Sequence, residues 1–135
     1  MRRIALLAAA AALTAGLAAA PSAATPAAPA APTATERAAA AVTHFSGSNC
    51  PSNSLCLYRD YNFTGGGVAI KAGDYVGFLG DYGFNDQMSS WSNDTGVTCW
   101  WWTHAYRGGD SHVMYNRYRV NVLASENDTA SSVQC

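Results

Sequence analysis

Two six-residue stretches hold the side chains best suited to chemistry. One is Asn85-Asp86-Gln87-Met88-Ser89-Ser90 and the other is Asn127-Asp128-Thr129-Ala130-Ser131-Ser132. Each opens on two Asx residues and closes on two serines. Short oxygen-bearing side chains on one tight turn can present several hard oxygens, which suits a cation such as calcium. Asn, Asp and Ser also make turns by bonding nearby backbone, and one copy alone would call for nothing more. Two copies, 42 residues apart and in step with a longer repeat, favour the cation.

Catalysis has less to draw on. The chain has three histidines, His44, His104 and His112. His104 and His112 can approach across paired strands with Asp110 between them. A transition-metal site of that kind needs a third ligand and a supporting shell, so solvent-exposed histidines are expected instead. No Ser or Cys stands in a recognisable nucleophile setting. The cysteines are expected to be oxidised. The expectation is a protein that is not an enzyme.

The longer repeat runs from Cys56 to Gly66 and again from Cys99 to Gly109, an offset of 43. At that offset Tyr58 falls on Trp101, Phe63 on Tyr106, and a glycine pair on a glycine pair. One unit is used twice, and each unit is the size of a four-strand motif.

The elements that must position these residues occupy only part of the 135-residue chain. Arg2-Arg3 and the apolar run Ile4–Leu17 read as a secretory signal peptide, placed at residues 1–24. The run is too short to span a membrane. Residues 25–42 are rich in Ala and Pro and read as a linker or pro-segment. The folded part is expected over 43–135, with motif one at 50–93 and motif two at 97–135. That part carries five basic and eight acidic residues, a net charge of minus three. It has no basic stripe, so nucleic acid is not an expected partner. A secreted, extracellular monomer without membrane attachment is expected once the signal is removed.

A domain this small needs staples. Cys50, Cys56, Cys99 and Cys135 supply them and allow three pairings. Cys50 and Cys56 flank a short ring that a turn can close, which favours Cys50–Cys56 with Cys99–Cys135. Turn residues are dense and helix signals are almost absent. Strands are expected at Leu55–Asp60, Val68–Lys71, Tyr75–Leu79 and Ser89–Ser92, then at Thr98–Thr103, Ser111–Tyr115 and Ser131–Gln134. Gly65-Gly66-Gly67 and Arg107–Asp110 are expected as turns. Tyr118, Val120 and Val122 alternate with polar residues, the period of a half-buried strand. Short strands at regular spacing predict an all-β sandwich of two four-strand Greek-key motifs. Trp100 and Trp102 are read as core and edge packing.

These residues resemble a known superfamily. Aromatic, four residues, aromatic, one residue, Gly is the hairpin signature of the βγ-crystallin Greek key, here Tyr58, Phe63, Gly65 and Trp101, Tyr106, Gly108. The Asx-Ser-Ser element is similar to that superfamily's calcium signature. Within it, the opening Cys50-Pro51 to Leu55-Cys56-Leu57-Tyr58-Arg59-Asp60 with Asn62-Phe63-Thr64-Gly65 resembles peptidase inhibitor family I36. That family includes a Streptomyces metalloproteinase inhibitor.

The resemblance implies two calcium sites. The ligands would be Asp86, Gln87 (carbonyl) and Ser89 from one unit, and Asp128, Thr129 (carbonyl) and Ser131 from the other. Each hydroxyl would be supplied across the pair, with a further carbonyl near Gly66 or Gly109. Few carboxylates imply weak binding, on the order of 10⁻⁵–10⁻³ M. The function implied is inhibition of a secreted protease, a metalloprotease in particular. The alternatives are a calcium-binding crystallin module for stability or surface interaction, and a killer-toxin-like antimicrobial protein. An inhibitory loop is left open among Cys50–Cys56, Gly80–Asn85 and Arg107–Asp110.

Overall fold

A computed structural model describes residues 40–135. The expected signal peptide at 1–24 and most of the expected linker at 25–42 lie outside the described residues. Among the described residues nine strands form two antiparallel sheets: β1 (Thr43–Phe45), β2 (Leu55–Asp60), β3 (Thr64–Ile70), β4 (Tyr75–Val76), β5 (Ser90–Asn93), β6 (Cys99–His104), β7 (Gly108–Met114), β8 (Arg119–Asn121) and β9 (Ser132–Gln134). One sheet has the order β1-β3-β2-β5-β8 and the other β4-β9-β6-β7. Each unit thus keeps three of its strands together and gives its third strand to the other unit's sheet.

The core lies between the sheets. Leu55, Leu57, Val68, Ile70 and Trp91 meet Cys99, Trp101, Met114, Val133 and Val76, and loop residues Leu79, Phe84 and Met88 close the ends. Burial of such side chains contributes about 1.5–3 kcal/mol each. Disulfides join Cys50 to Cys56 and Cys99 to Cys135. The folded unit starts ahead of Thr43, because Ala40 and Val42 pack against the core.

Two expectations need correction. The glycine run Gly65-Gly66-Gly67 lies within β3. The chain reverses earlier, where Asn62 (φ 60°) and Phe63 (φ 63°) take the left-handed conformation. Arg107–Asp110 likewise straddles a short 3₁₀ turn at Ala105–Arg107 and the start of β7.

The second correction is to the repeat. Leu55 pairs with Ile70 and Tyr58 with Gly67, while Cys99 pairs with Met114 and Trp102 with Ser111. Tyr58 also pairs with Ser90, as Trp102 does with Ser132. Equivalent residues of the two hairpins are therefore 44 apart, not 43. Tyr106 (φ 58°) and Arg107 (φ 62°) match Asn62 and Phe63 at that spacing. Tyr58 corresponds to Trp102, and Trp101 to Leu57. A slip of one residue moves a side chain to the opposite face of its sheet. Trp101 accordingly lies in the core. Tyr58 lies on the outer face with Cys56 and Ala69, under Phe45, Cys50 and Phe63.

Candidate functional site

The two Asx-Ser-Ser loops meet where the units join. Asp86 N–H donates to Ala130 O at 3.0 Å, and Asp128 N–H donates to Met88 O at 3.1 Å. Both aspartates are left-handed, with φ of 54° and 56°. Asn85 Nδ2 donates to Asp86 Oδ2 and Asn127 Nδ2 to Asp128 Oδ2, each at 2.7 Å. The loops are the same device used reciprocally.

Oxygens gather around Asp86. Ser131, from the other unit, donates from its Oγ to Thr103 O at 3.0 Å and lies 3.3 Å from Asp86 Oδ1. Asp86, Asp128, Thr129 and Ser131 line one open pocket together with Thr103, His104, Gly109 and Asp110. Thr103 and Asp110 are additions to the residues expected from sequence. They belong to the hairpin beside the loop, and the backbone N–H of Asp110 bonds Thr103 Oγ1 at 3.0 Å. Their only signal in the sequence is their nearness to Gly109.

The reciprocal position is built differently. Ser89 Oγ donates to Arg59 O at 2.6 Å, as Ser131 does to Thr103 O. Arg59 thus stands where the first position has Thr103. Its guanidinium bonds Gln87 Oε1 at 2.8 Å and Gly83 O at 3.4 Å, and lies over the Phe84 ring. Gln87 and Ser89 are not among the residues lining the pocket at Asp86. Gly66 is also elsewhere: its N–H bonds Gly47 O, beneath the chain after β1.

The donor set at Asp86 fits a hard cation. It offers a hydroxyl within hydrogen-bond reach of both a carboxylate and a carbonyl, and these are ligand types calcium takes. Asn85 Oδ1 and Asn127 Oδ1 are buried acceptors with no hydrogen-bond partner in the protein, an uncommon state for a buried oxygen. Among the described residues no three His, Cys, Asp or Glu side chains come together to hold a metal. A cation here would rely on hydroxyl and carbonyl oxygen. His104 lines this pocket. His112 lies apart from it, stacked on Trp101 at 3.9 Å and bonded through Nδ1 to Glu126 at 3.1 Å.

The three candidate loops differ in rigidity. Pro51–Leu55 is held by its disulfide and by Lys71, whose Nζ donates to Ser52 O (2.9 Å), Asn53 O (3.3 Å) and Ser54 Oγ (2.9 Å). Ser52 and Asn53 remain exposed at its tip. Gly80–Asn85 is anchored by a 3₁₀ turn, Leu79–Tyr82, and by buried Phe84. Arg107–Asp110 spans the end of a 3₁₀ turn and the start of β7.

Known proteins place this architecture. A solved structure described under the evolution of the eye lens βγ-crystallin domain fold matches 69% of this chain and 94% of its own, with 21% identity and a TM-score of 0.60. A βγ-crystallin from Ciona intestinalis matches 60% and 96%, with 24% identity and a TM-score of 0.54. A comparison with curated proteins finds no match. Residues 43–114 match the model of Peptidase inhibitor family I36, a span running from β1 through β7. The first unit, its disulfide-closed loop and the second hairpin are thus all within the matched region, and the chain belongs to peptidase inhibitor family I36, on a βγ-crystallin fold.

Proposed function

We propose that the protein is a secreted inhibitor of an extracellular peptidase, a metallopeptidase in particular, and that Pro51–Leu55 is the loop it presents. The clamp on this loop supports the reading most. A disulfide and three bonds from one lysine, two to backbone carbonyls and one to the Ser54 hydroxyl, hold consecutive residues while Ser52 and Asn53 stay open to solvent. A loop ordered before binding loses less entropy on docking, which favours tight inhibition. Two disulfides suit an oxidising, extracellular setting.

The test is a panel of thermolysin-type, serine and cysteine peptidases titrated with the purified domain, with calcium and with chelator. Dose-dependent loss of the thermolysin-type activity is expected. Lys71→Ala should raise the inhibition constant about tenfold or more, because the loop then orders only on binding. No inhibition anywhere in the panel at micromolar domain would refute the proposal.

A second role rests on the oxygens at Asp86. Calcium there would be held by Asp86, Ser131 and the Thr103 carbonyl, with Asp110 and Asp128 adding negative charge nearby. The Asp128–Ser89 position would bind more weakly, since Arg59 brings a cation to it. A hundredfold excess of calcium over Kd should stabilise the fold by about 2.7 kcal/mol. Asp86→Ala should abolish most of the thermal shift and Asp128→Ala less of it. A melting temperature indifferent to calcium would exclude this role.

A further inference from the structure

Among the described residues, strand β1 has no counterpart in the second unit. The first sheet runs β1-β3-β2-β5-β8, and the equivalent strands of the second run β7-β6-β9-β4. β7 matches β3, yet among the described residues nothing pairs with its outer edge. The arm that carries β1 makes three kinds of contact in the first unit. Thr43–Phe45 pair antiparallel with Gly67–Ala69 of β3. Ala40 and Val42 pack against the core. Tyr82, just past β4, donates its hydroxyl to Ala40 O at 3.4 Å. The arm thus bridges from the edge of one sheet to the segment that follows the facing strand of the other.

At the matching place in the second unit, between β7 and β8, the molecule has a groove. Trp91, Trp101, His112, Tyr115, Tyr118 and Val120 line it. The stacked Trp101–His112 pair forms part of its wall, and Glu126 fixes the imidazole. Tyr115 and Tyr118, with rings 5.8 Å apart, are 54% and 58% exposed. An exposed sheet edge is a template for another chain, and proteins commonly guard one with lysine, proline or a cover. β7 reads Gly-Gly-Asp-Ser-His-Val-Met, with neither lysine nor proline. Its twin, β3, is covered by the arm.

We propose that the groove between β7 and β8 docks an extended segment of a protein partner, added antiparallel to β7 as the protein's own Thr43–Phe45 add to β3. The segment's chemistry follows from that internal example. It carries small or β-branched apolar residues on the groove side and an aromatic residue near its end, as Ala40, Val42 and Phe45 do. Main-chain bonds supply affinity and the aromatic walls supply selectivity. This proposal does not rest on peptidase inhibition or on calcium.

The probe is the synthetic peptide Ala-Ala-Val-Thr-His-Phe, the sequence of residues 40–45, titrated into the isotope-labelled domain. Amide shifts confined to residues 109–114, with a change in tryptophan emission, are expected. The same peptide with proline in place of threonine should not bind, because it cannot complete the ladder. Tyr118→Ser, at an exposed rim, should weaken binding about fivefold or more while the melting curve is unchanged. Shifts absent at millimolar peptide would overturn the proposal, as would shifts on β3, where the peptide would merely displace the arm. Concentration-dependent self-association through β7 without peptide would also overturn it, by assigning the groove to a second copy of the chain.

Discussion

At the scale of single residues, close approach decides more than residue type. A methyl group on Gly67 would lie 1.8 Å from the carbonyl oxygen of Leu57, so no side chain fits between β3 and β2 there. Gly67→Ala should therefore cost about 3 kcal/mol, the upper end for overpacking, read as a lower urea midpoint. Gly73→Ala is a useful contrast. Nothing lies within 4 Å of its Cβ, but its φ of 87° still strains an alanine, so a smaller loss is expected. The Asx-Ser-Ser stretches stand out in the sequence because their residue types recur side by side, and each Asn bonds the carboxylate of the Asp that follows it. The hairpin reversal was not. Phe63 takes a left-handed φ that phenylalanine rarely adopts, held by Tyr58 at 5.8 Å, by Ser90 Oγ accepting its N–H at 3.1 Å, and by the Arg119 guanidinium over its ring. Ser90 and Arg119 lie far along the chain from Phe63, so the three glycines drew the turn to themselves.

At the scale of elements, the strand pattern was readable and its register was not. Leu55–Asp60 forms the strand expected there. Aligning Cys56 with Cys99 shifted the second hairpin by one residue, and three consecutive tryptophans offered nothing to resist the shift. The cysteines do different jobs: Cys99 faces the core, while Cys56 sits in the outer-face cluster with Tyr58. The register makes a sharp prediction. Trp101→Ala should destabilise by about 3–5 kcal/mol, as for a core aromatic. Trp100→Ala, at a residue 41% exposed, should cost about 1 kcal/mol or less. Equal losses in chemical denaturation would contradict the 44-residue spacing. Strand β1 went unread because three residues, Thr-His-Phe, carry too little pattern to separate a strand from a loop.

At the scale of the whole molecule, the exchange of third strands governs behaviour. β4 completes the second sheet and β8 completes the first, so neither unit has its full set of partners alone. Unfolding should be one transition, with near- and far-ultraviolet dichroism superimposable. A fragment ending at Asn93 should be unfolded by itself. Reducing Cys99–Cys135 should lower stability by about 2–4 kcal/mol without splitting that transition. The link between the units is short and turns at exposed Asp94 and Gly96, with buried Asn93 bonding Val97 O at 2.9 Å and Met114 O at 2.8 Å. A cut in that link would sever the chain without dismantling the particle, since each piece still grips a strand of the other. For a protein whose family meets peptidases, this is a form of damage tolerance: a clipped molecule should elute as one body and come apart only in denaturant.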